Sequence, residues 1–219
     1  MYTPSPLDRS SYIIDFMKKQ IVAIDGGNPA QPHEEYVAEL RHEQVDADDF
    51  KLRTDWKKGL QKKLGARYEV FNPEMPLRDN ARYAEWKIWF EKMIPFLRDG
   101  VILIGHSLGA IFLVRYLSEN RFPKKISKVM LVAAPYHTRT EKNADEMGGF
   151  AFGSDLSLIA GRSEAVYLYH STDDPVVDFS HLAKFQRTLP TAHARVLTKR
   201  SHLWQKEFPE IVKDIKSVR

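Results

Sequence analysis

Three polar residues, Ser107, Asp174 and His202, stand in the order and the company that serine-based acyl transfer requires. A serine hydroxyl becomes a useful nucleophile only when a base takes its proton, and an imidazole does this best when a carboxylate fixes its ring. Ser107 lies in Gly105-His106-Ser107-Leu108-Gly109, between the apolar run Val101–Ile104 and an apolar stretch from Ala110 to Leu117. This is the pattern of a strand turning sharply into a helix with a serine at the apex. The flanking glycines have a steric purpose, because side chains there would collide across so tight a turn. The apex also opens a helix, where unpaired N–H groups and the helix dipole favour an oxyanion.

The other two residues follow later strands. Ser171-Thr172-Asp173-Asp174-Pro175-Val176-Val177 comes after the run Val166–His170, and Thr198-Lys199-Arg200-Ser201-His202 after Ala194–Leu197. Serine, acid, histidine is the chain order that accompanies such an elbow. Asp174 fits the acid better, because it directly precedes the valine-containing turn; Asp173 is expected to cap or brace that turn. The oxyanion needs two donors. Leu108 N–H is expected to be one, and the loop Asp25-Gly26-Gly27-Asn28-Pro29 to give the other from Gly27, or alternatively Asn28. No Gly-Lys-Ser/Thr follows these glycines, which argues against a phosphate loop. Asn28, Tyr136 and His137 are candidates for substrate contact. His106 is expected to support packing, His170 to be a satisfied histidine at the core edge, and His33, His42, His181 and His193 to lie at the surface. No histidine–carboxylate set has convincing zinc spacing. Neither metal nor cofactor is expected.

These residues need a scaffold. Six runs rich in β-branched residues (Gln20–Asp25, Tyr68–Phe71, Val101–Ile104, Lys128–Ala133, Val166–His170, Ala194–Leu197) are separated by helical patterns. The helical patterns lie near His33–Glu43, Asp55–Leu64, Asn80–Leu97, Leu108–Glu119, Asp178–Thr188 and Trp204–Ile215. Alternation of this kind predicts an α/β fold, a doubly wound and mostly parallel sheet with helices on both faces. Its site belongs at the carboxyl ends of the strands. One domain is expected over residues 1–219, with an insertion at 28–54 and a cap or lid segment at 135–162. Tyr136, Phe150 and Phe152 in the latter either line an apolar pocket or anchor the cap to the core.

Composition narrows the classes further. No run approaches the roughly 20 apolar residues a membrane span needs, and charges interrupt the first 20 residues, which do not read as a secretory signal. The absence of cysteine excludes disulfides and thiol catalysis and fits a cytoplasmic location. A net charge of +4 raises the question of nucleic acid. The basic residues are scattered, however, and Lys57, Lys58, Lys62 and Lys63 read as a solvated helix face, so no nucleic-acid partner is expected.

With elbow, acid turn and histidine loop assembled, the chain resembles the small serine hydrolases typified by retinoblastoma-binding protein nine and the bacterial YdeN-like proteins. The likeness runs from about Gln20 to the C-terminus. It is carried by Asn72-Pro73-Glu74-Met75-Pro76 before a helix bearing Trp86 and Trp89, by Gly105 to Ala110 leading to Arg115-Tyr116, and by Ser171 to Pro175. The first loop lacks the Pro-Gly turn expected there, and Ser201 stands where glycine is common. The resemblance implies an α/β-hydrolase fold with a minimal cap, and Ser107, Asp174 and His202 as a triad acting on a small acyl substrate. A small ester, thioester or amide would be cleaved by a monomer or homodimer. The rival reading is a catalytically silent interaction module on the same fold. An acyltransferase, or an aminopeptidase holding its substrate's amine through Asp145, Glu146 or Asp155, is a further possibility.

Overall fold

A computed structural model describes residues 18–47, 54–140 and 147–217. Six strands form one sheet: β1 (Lys19–Ile24), β2 (Tyr68–Phe71), β3 (Val101–His106), β4 (Ile126–Val132), β5 (Ser163–Ser171) and β6 (His193–Leu197). Their order is β2-β1-β3-β4-β5-β6 and every pairing is parallel. The chain therefore builds outward from β1 to β2, returns to β3 on the other side of β1, and continues to β6. The reversal between β1 and β3 puts the loop after β1 beside the elbow after β3.

Both faces of the sheet are covered, which is why its central strands read as unbroken apolar runs. Along β1 the side chains alternate. Ile21 and Ala23 pack with Trp56, Leu60 and Leu64 of α2 (Trp56–Leu64) and with Ile211 and Ile215 of α7 (Pro209–Lys216). Val22 and Ile24 pack on the opposite side with α3 (Tyr83–Met93), α4 (Leu108–Glu119) and α6 (Ser180–Thr188).

The helix expected over Asn80–Leu97 is shorter than its pattern. It runs as α3 between two 3-10 turns, Arg78–Asn80 and Ile94–Phe96. Pro95 lacks the N–H that an α-helix would need at that point. The helix expected from Trp204 begins only at Pro209, a residue suited to a first helical position. A six-residue helix, α5 (Ser157–Arg162), had no signal of its own in the sequence.

The two irregular segments differ. In residues 28–54, α1 (His33–His42) buries none of its residues, and the segment is tied down near its start by Ala30 N–H to Ala81 O (2.7 Å) and Ala81 N–H to Asn28 O (2.8 Å). Residues 48–53 lie outside the described residues. In 135–162, Phe150 and Phe152 are fully buried and Tyr136 is 8% exposed. The aromatic side chains thus anchor this segment to the core. Asp145 and Glu146 lie outside the described residues; Asp155 is exposed and accepts from Ser157 N–H.

Candidate active site

β3 ends in His106 and α4 begins at Leu108, which leaves Ser107 alone at the apex with φ 53° and ψ −119°. A side chain rarely adopts this conformation, and the neighbours hold it there. Ser107 N–H donates to Val132 O at the end of β4 (2.9 Å), and its own carbonyl accepts from Ala110 (2.9 Å). Gly105 and Gly109 make the turn possible. A Cβ on Gly105 would lie 2.4 Å from Gly109 O, and one on Gly109 would lie 2.4 Å from Ile24 O. Leu108 opens α4, so its N–H has no acceptor within the helix.

Asp174 and His202 meet from the loops after β5 and β6. His202 Nδ1 is 2.8 Å and 3.0 Å from the two carboxylate oxygens of Asp174. The Asp174 side chain is completely buried and that of His202 is 2% exposed. Burial alone would push the Asp174 carboxyl up. The bond to His202 and those from the N–H groups of Val177 and Val176 outweigh it and hold the carboxyl below its ordinary value. An ionised carboxylate at Nδ1 places the imidazole proton there and leaves the lone pair on Nε2. That Nε2 is buried and makes no hydrogen bond to any described residue. Asp173 does something else: its carboxylate accepts from Ser171 Oγ (2.5 Å) and from the N–H groups of Arg200 and Ser201 (3.2 and 3.4 Å), bracing the histidine loop against the acid turn.

The histidine loop is itself unusual. Lys199, Ser201 and Leu203 all have positive φ (57°, 48° and 59°), so left-handed residues alternate through it and flank His202. The opening turn of α2 grips the loop from below. Trp56 Nε1–H donates to Leu203 O, and Trp56 N–H to Gln205 O (both 2.9 Å).

The run of lysines predicts a solvated face for Lys57; the structure buries it, 2% exposed. It lies in the first turn of α2, directed at a cluster of polar groups under the elbow. Its ammonium is 2.5 Å from Asp55, 3.1 Å from Asp25 and 3.3 Å from His106 Nδ1. Lys58, Lys62 and Lys63 are exposed as expected. His106, 2% exposed, turns its Nε2 to the carbonyl of His202 (2.8 Å). Burial and the Lys57 ammonium push its imidazole below the ordinary histidine value. Burial raises the Asp25 carboxyl. The bond with His106, the Lys57 ammonium and the Gly26 N–H reverse this and hold it well below the carboxylate range.

In the first loop, the glycine against the nucleophile is Gly26 and not the expected Gly27. A Cβ on Gly26 would be 3.0 Å from Ser107 Cβ, whereas one on Gly27 would meet the backbone of Arg78, 2.2 Å from its carbonyl oxygen. Gly26 N–H donates to Asp25 Oδ1 (2.7 Å) and Asn28 N–H to Arg78 O (2.7 Å), so neither is free for an oxyanion; Gly27 N–H donates to no described residue. Arg78 arrives fifty residues after the loop, a neighbour no local pattern reveals.

A cleft of about 600 Å³ opens beside Gly26, with a mixed lining that includes Asp25, Asn72, Glu74 and Arg78 as well as Tyr36, Met75 and Leu77. Tyr136 is not in it: its ring packs between Phe152 and Phe185, and its N–H donates to His181 Nδ1 (2.7 Å). His137 lies edge-on to His181, 5.4 Å between ring centroids. His181 is thus partly buried and bonded, where a surface position was expected. His170 Nε2 faces Val177 O (2.9 Å), as a satisfied core-edge histidine should. Among the described residues, no cluster of three or more His, Asp or Glu is placed to hold a metal ion. No helix of the described residues is long and apolar enough to cross a membrane.

This fold is that of known α/β-hydrolases. The YdeN gene product of B. subtilis superposes with a TM-score of 0.70 at 18% identity, over 90% of this chain and 97% of its own. A thioesterase domain from the curacin biosynthetic pathway follows at 0.61 and 12% identity, over 91% and 92%. In sequence, serine hydrolase RBBP9 of Rattus norvegicus is 26% identical over 162 residues, 74% of this chain and 83% of that protein. A model of the serine hydrolase family matches residues 51–208, a span that holds the elbow, the acid turn and the histidine loop. The chain belongs to the serine hydrolase family, with RBBP9 and the YdeN-like proteins.

Proposed function

We propose that the protein hydrolyses a small ester, thioester or amide through an acyl-enzyme on Ser107. In this reading His202 Nε2 takes the proton of Ser107 as Oγ bonds to the substrate's acyl carbon. Asp174 holds the ring and stabilises the imidazolium. The N–H of Leu108, with that of Gly27 as second donor, receives the tetrahedral oxyanion. The imidazolium then passes its proton to the leaving oxygen, sulfur or nitrogen as the acyl bond to it breaks. Water, deprotonated by His202, attacks the acyl-serine, and the proton returns to Ser107 as the acid departs.

One observation carries the reading. A buried carboxylate orients Nδ1 of His202 and leaves a buried Nε2 with no described partner, on a loop whose carbonyl is bonded to the residue next to Ser107. A protein that merely kept the fold for docking has no need of an oriented imidazole with an empty lone pair. The cleft beside Gly26, where Met75, Leu77 and Pro73 stand among Asn72, Glu74 and Arg78, offers room for a small acyl group with both apolar and polar contacts. Ester, thioester and amide all stay within the proposal, since the fold is shared with a thioesterase domain and with E-2-(acetamidomethylene)succinate hydrolase.

The test is labelling by a fluorophosphonate probe together with hydrolysis of p-nitrophenyl esters of graded acyl length. Wild type should label and turn over the shorter esters, and Ser107→Ala should do neither. A folded wild type that resists the probe, or a Ser107→Ala variant as active as wild type, would sink the proposal.

A further inference from the structure

The Lys57 cluster lies outside the three residues proposed to react, yet through His106 it reaches both the elbow that carries Ser107 and the loop that carries His202. Its ammonium is a donor only. Standing 3.3 Å from His106 Nδ1, it requires that nitrogen to accept. His106 Nε2, 2.8 Å from the carbonyl oxygen of His202, must then donate. Only one neutral form of His106 satisfies both neighbours, the form with its proton on Nε2. The same ammonium neutralises Asp25, whose Oδ1 accepts from Gly26 N–H in the loop against Ser107.

We propose, on the reading of Ser107 and His202 given above, that Lys57 is a positioning residue of the active site. It fixes His106 as the neutral Nε2–H form, and that imidazole ties the backbone of His202 to the elbow. The charged and titratable groups that face His106 are Asp25 just after β1, Lys57 at the start of α2, itself paired with Asp55, and His202, whose ring centroid is 5.0 Å away. Arg78 lies 3.5 Å from the other oxygen of Asp25, and His170 lies 3.6 Å from Asp174 behind His202.

Without the ammonium, Asp25 at 3.5 Å becomes the strongest partner of His106 Nδ1. Two consequences follow. At high pH a proton shifts to Nδ1, and a lone pair then faces the carbonyl of His202. At low pH His106 takes up a second proton and sets a positive charge beside His202, against the imidazolium that the reaction must form.

Two readouts test this in the full-length protein: ¹⁵N spectra of the histidine rings, and the pH dependence of kcat for a short p-nitrophenyl ester. In wild type, His106 should stay neutral with its proton on Nε2 between about pH 5 and pH 9. In Lys57→Met it should titrate in that range, with kcat lowered about tenfold or more, KM moved less than about threefold, and a steeper acid limb. His106→Gln is the conservative rescue, since its amide can donate to His202 O and accept from Lys57. It should keep kcat within about fivefold, and Lys57→Met/His106→Gln should lose the steep limb. His106 charged in wild type near neutrality, or a Lys57→Met variant with unchanged rate and limb, would overturn the proposal. Should Lys57→Met not fold, His106→Gln against His106→Leu decides it, and equal kcat in those two counts against. A wild type that neither labels nor turns over ester would defeat the serine-hydrolase reading, while the ring spectra would still decide the role of Lys57.

Discussion

Asp174→Asn keeps the shape of the acid but not its charge. An amide can present its N–H to His202 Nδ1, which drives the ring proton to Nε2 and takes away the lone pair on which the proposed activation of Ser107 depends. The expected loss in kcat is about 10³- to 10⁴-fold with the fold intact, measured with the same p-nitrophenyl esters and by circular dichroism. The two glycines of the first loop should part company. Gly26→Ala sets a methyl 3.0 Å from Ser107 Cβ, so its damage belongs in kcat, about tenfold or more, with little change in the melting temperature. Gly27→Ala drives a methyl into the carbonyl of Arg78, a backbone atom that cannot step aside, and its damage belongs in stability. Thermal melts beside kinetics on both variants check this; a Gly26→Ala enzyme of full activity would be the contrary result. The turn apex at Ser107 and the pairing of Asp174 with His202 were legible because motif and chain order name these residues without any knowledge of neighbours. The distinction between Gly26 and Gly27 was not, because Arg78 creates it from fifty residues away. Lys57 was misplaced for a related reason: in a run of lysines, nothing local says that one faces two carboxylates.

At the scale of elements, the histidine loop depends on α2. Trp56 contributes an indole N–H to Leu203 O from a ring that packs edge-on to Phe208, 5.3 Å between centroids. Trp56→Phe keeps much of the packing and leaves that buried carbonyl without its donor, which costs about 1–3 kcal/mol. Urea unfolding should show this cost, and limited proteolysis should show faster cutting near Leu203. Helices were most readable where a long apolar pattern had a clear start, as in α4, whose bounds Leu108–Glu119 the sequence pattern matches to the residue. They were least readable where a turn of another kind intervened. Pro95 ends α3 in a 3-10 turn, and α5 has only six residues and no side-chain cap.

Over the whole molecule, the all-parallel sheet explains why the strand signal was strong: strands covered on both faces leave no polar alternation to confuse. The same enclosure makes stability depend on pH. Burial, and the positive field of Lys184, hold His181 down to about 4, where its Nδ1 must accept from Tyr136 N–H. A histidine depressed in the folded state contributes stability that is complete above its ordinary value of about 6.5 and is lost as pH falls towards 4. Unfolding midpoints should therefore drop between about pH 6.5 and pH 4, and His181→Asn, whose amide oxygen can take the place of Nδ1, should flatten part of that slope. A slope unchanged in the variant would show that other groups set it.

The helix α1 buries no residue, yet Tyr36 on it lines the cleft beside Gly26. The outer wall of that cleft is thus built from material on which the core does not depend. The shape of the cleft and the firmness of the fold are set by different parts of the chain. Substitutions in α1 can therefore reshape the cleft without endangering the sheet.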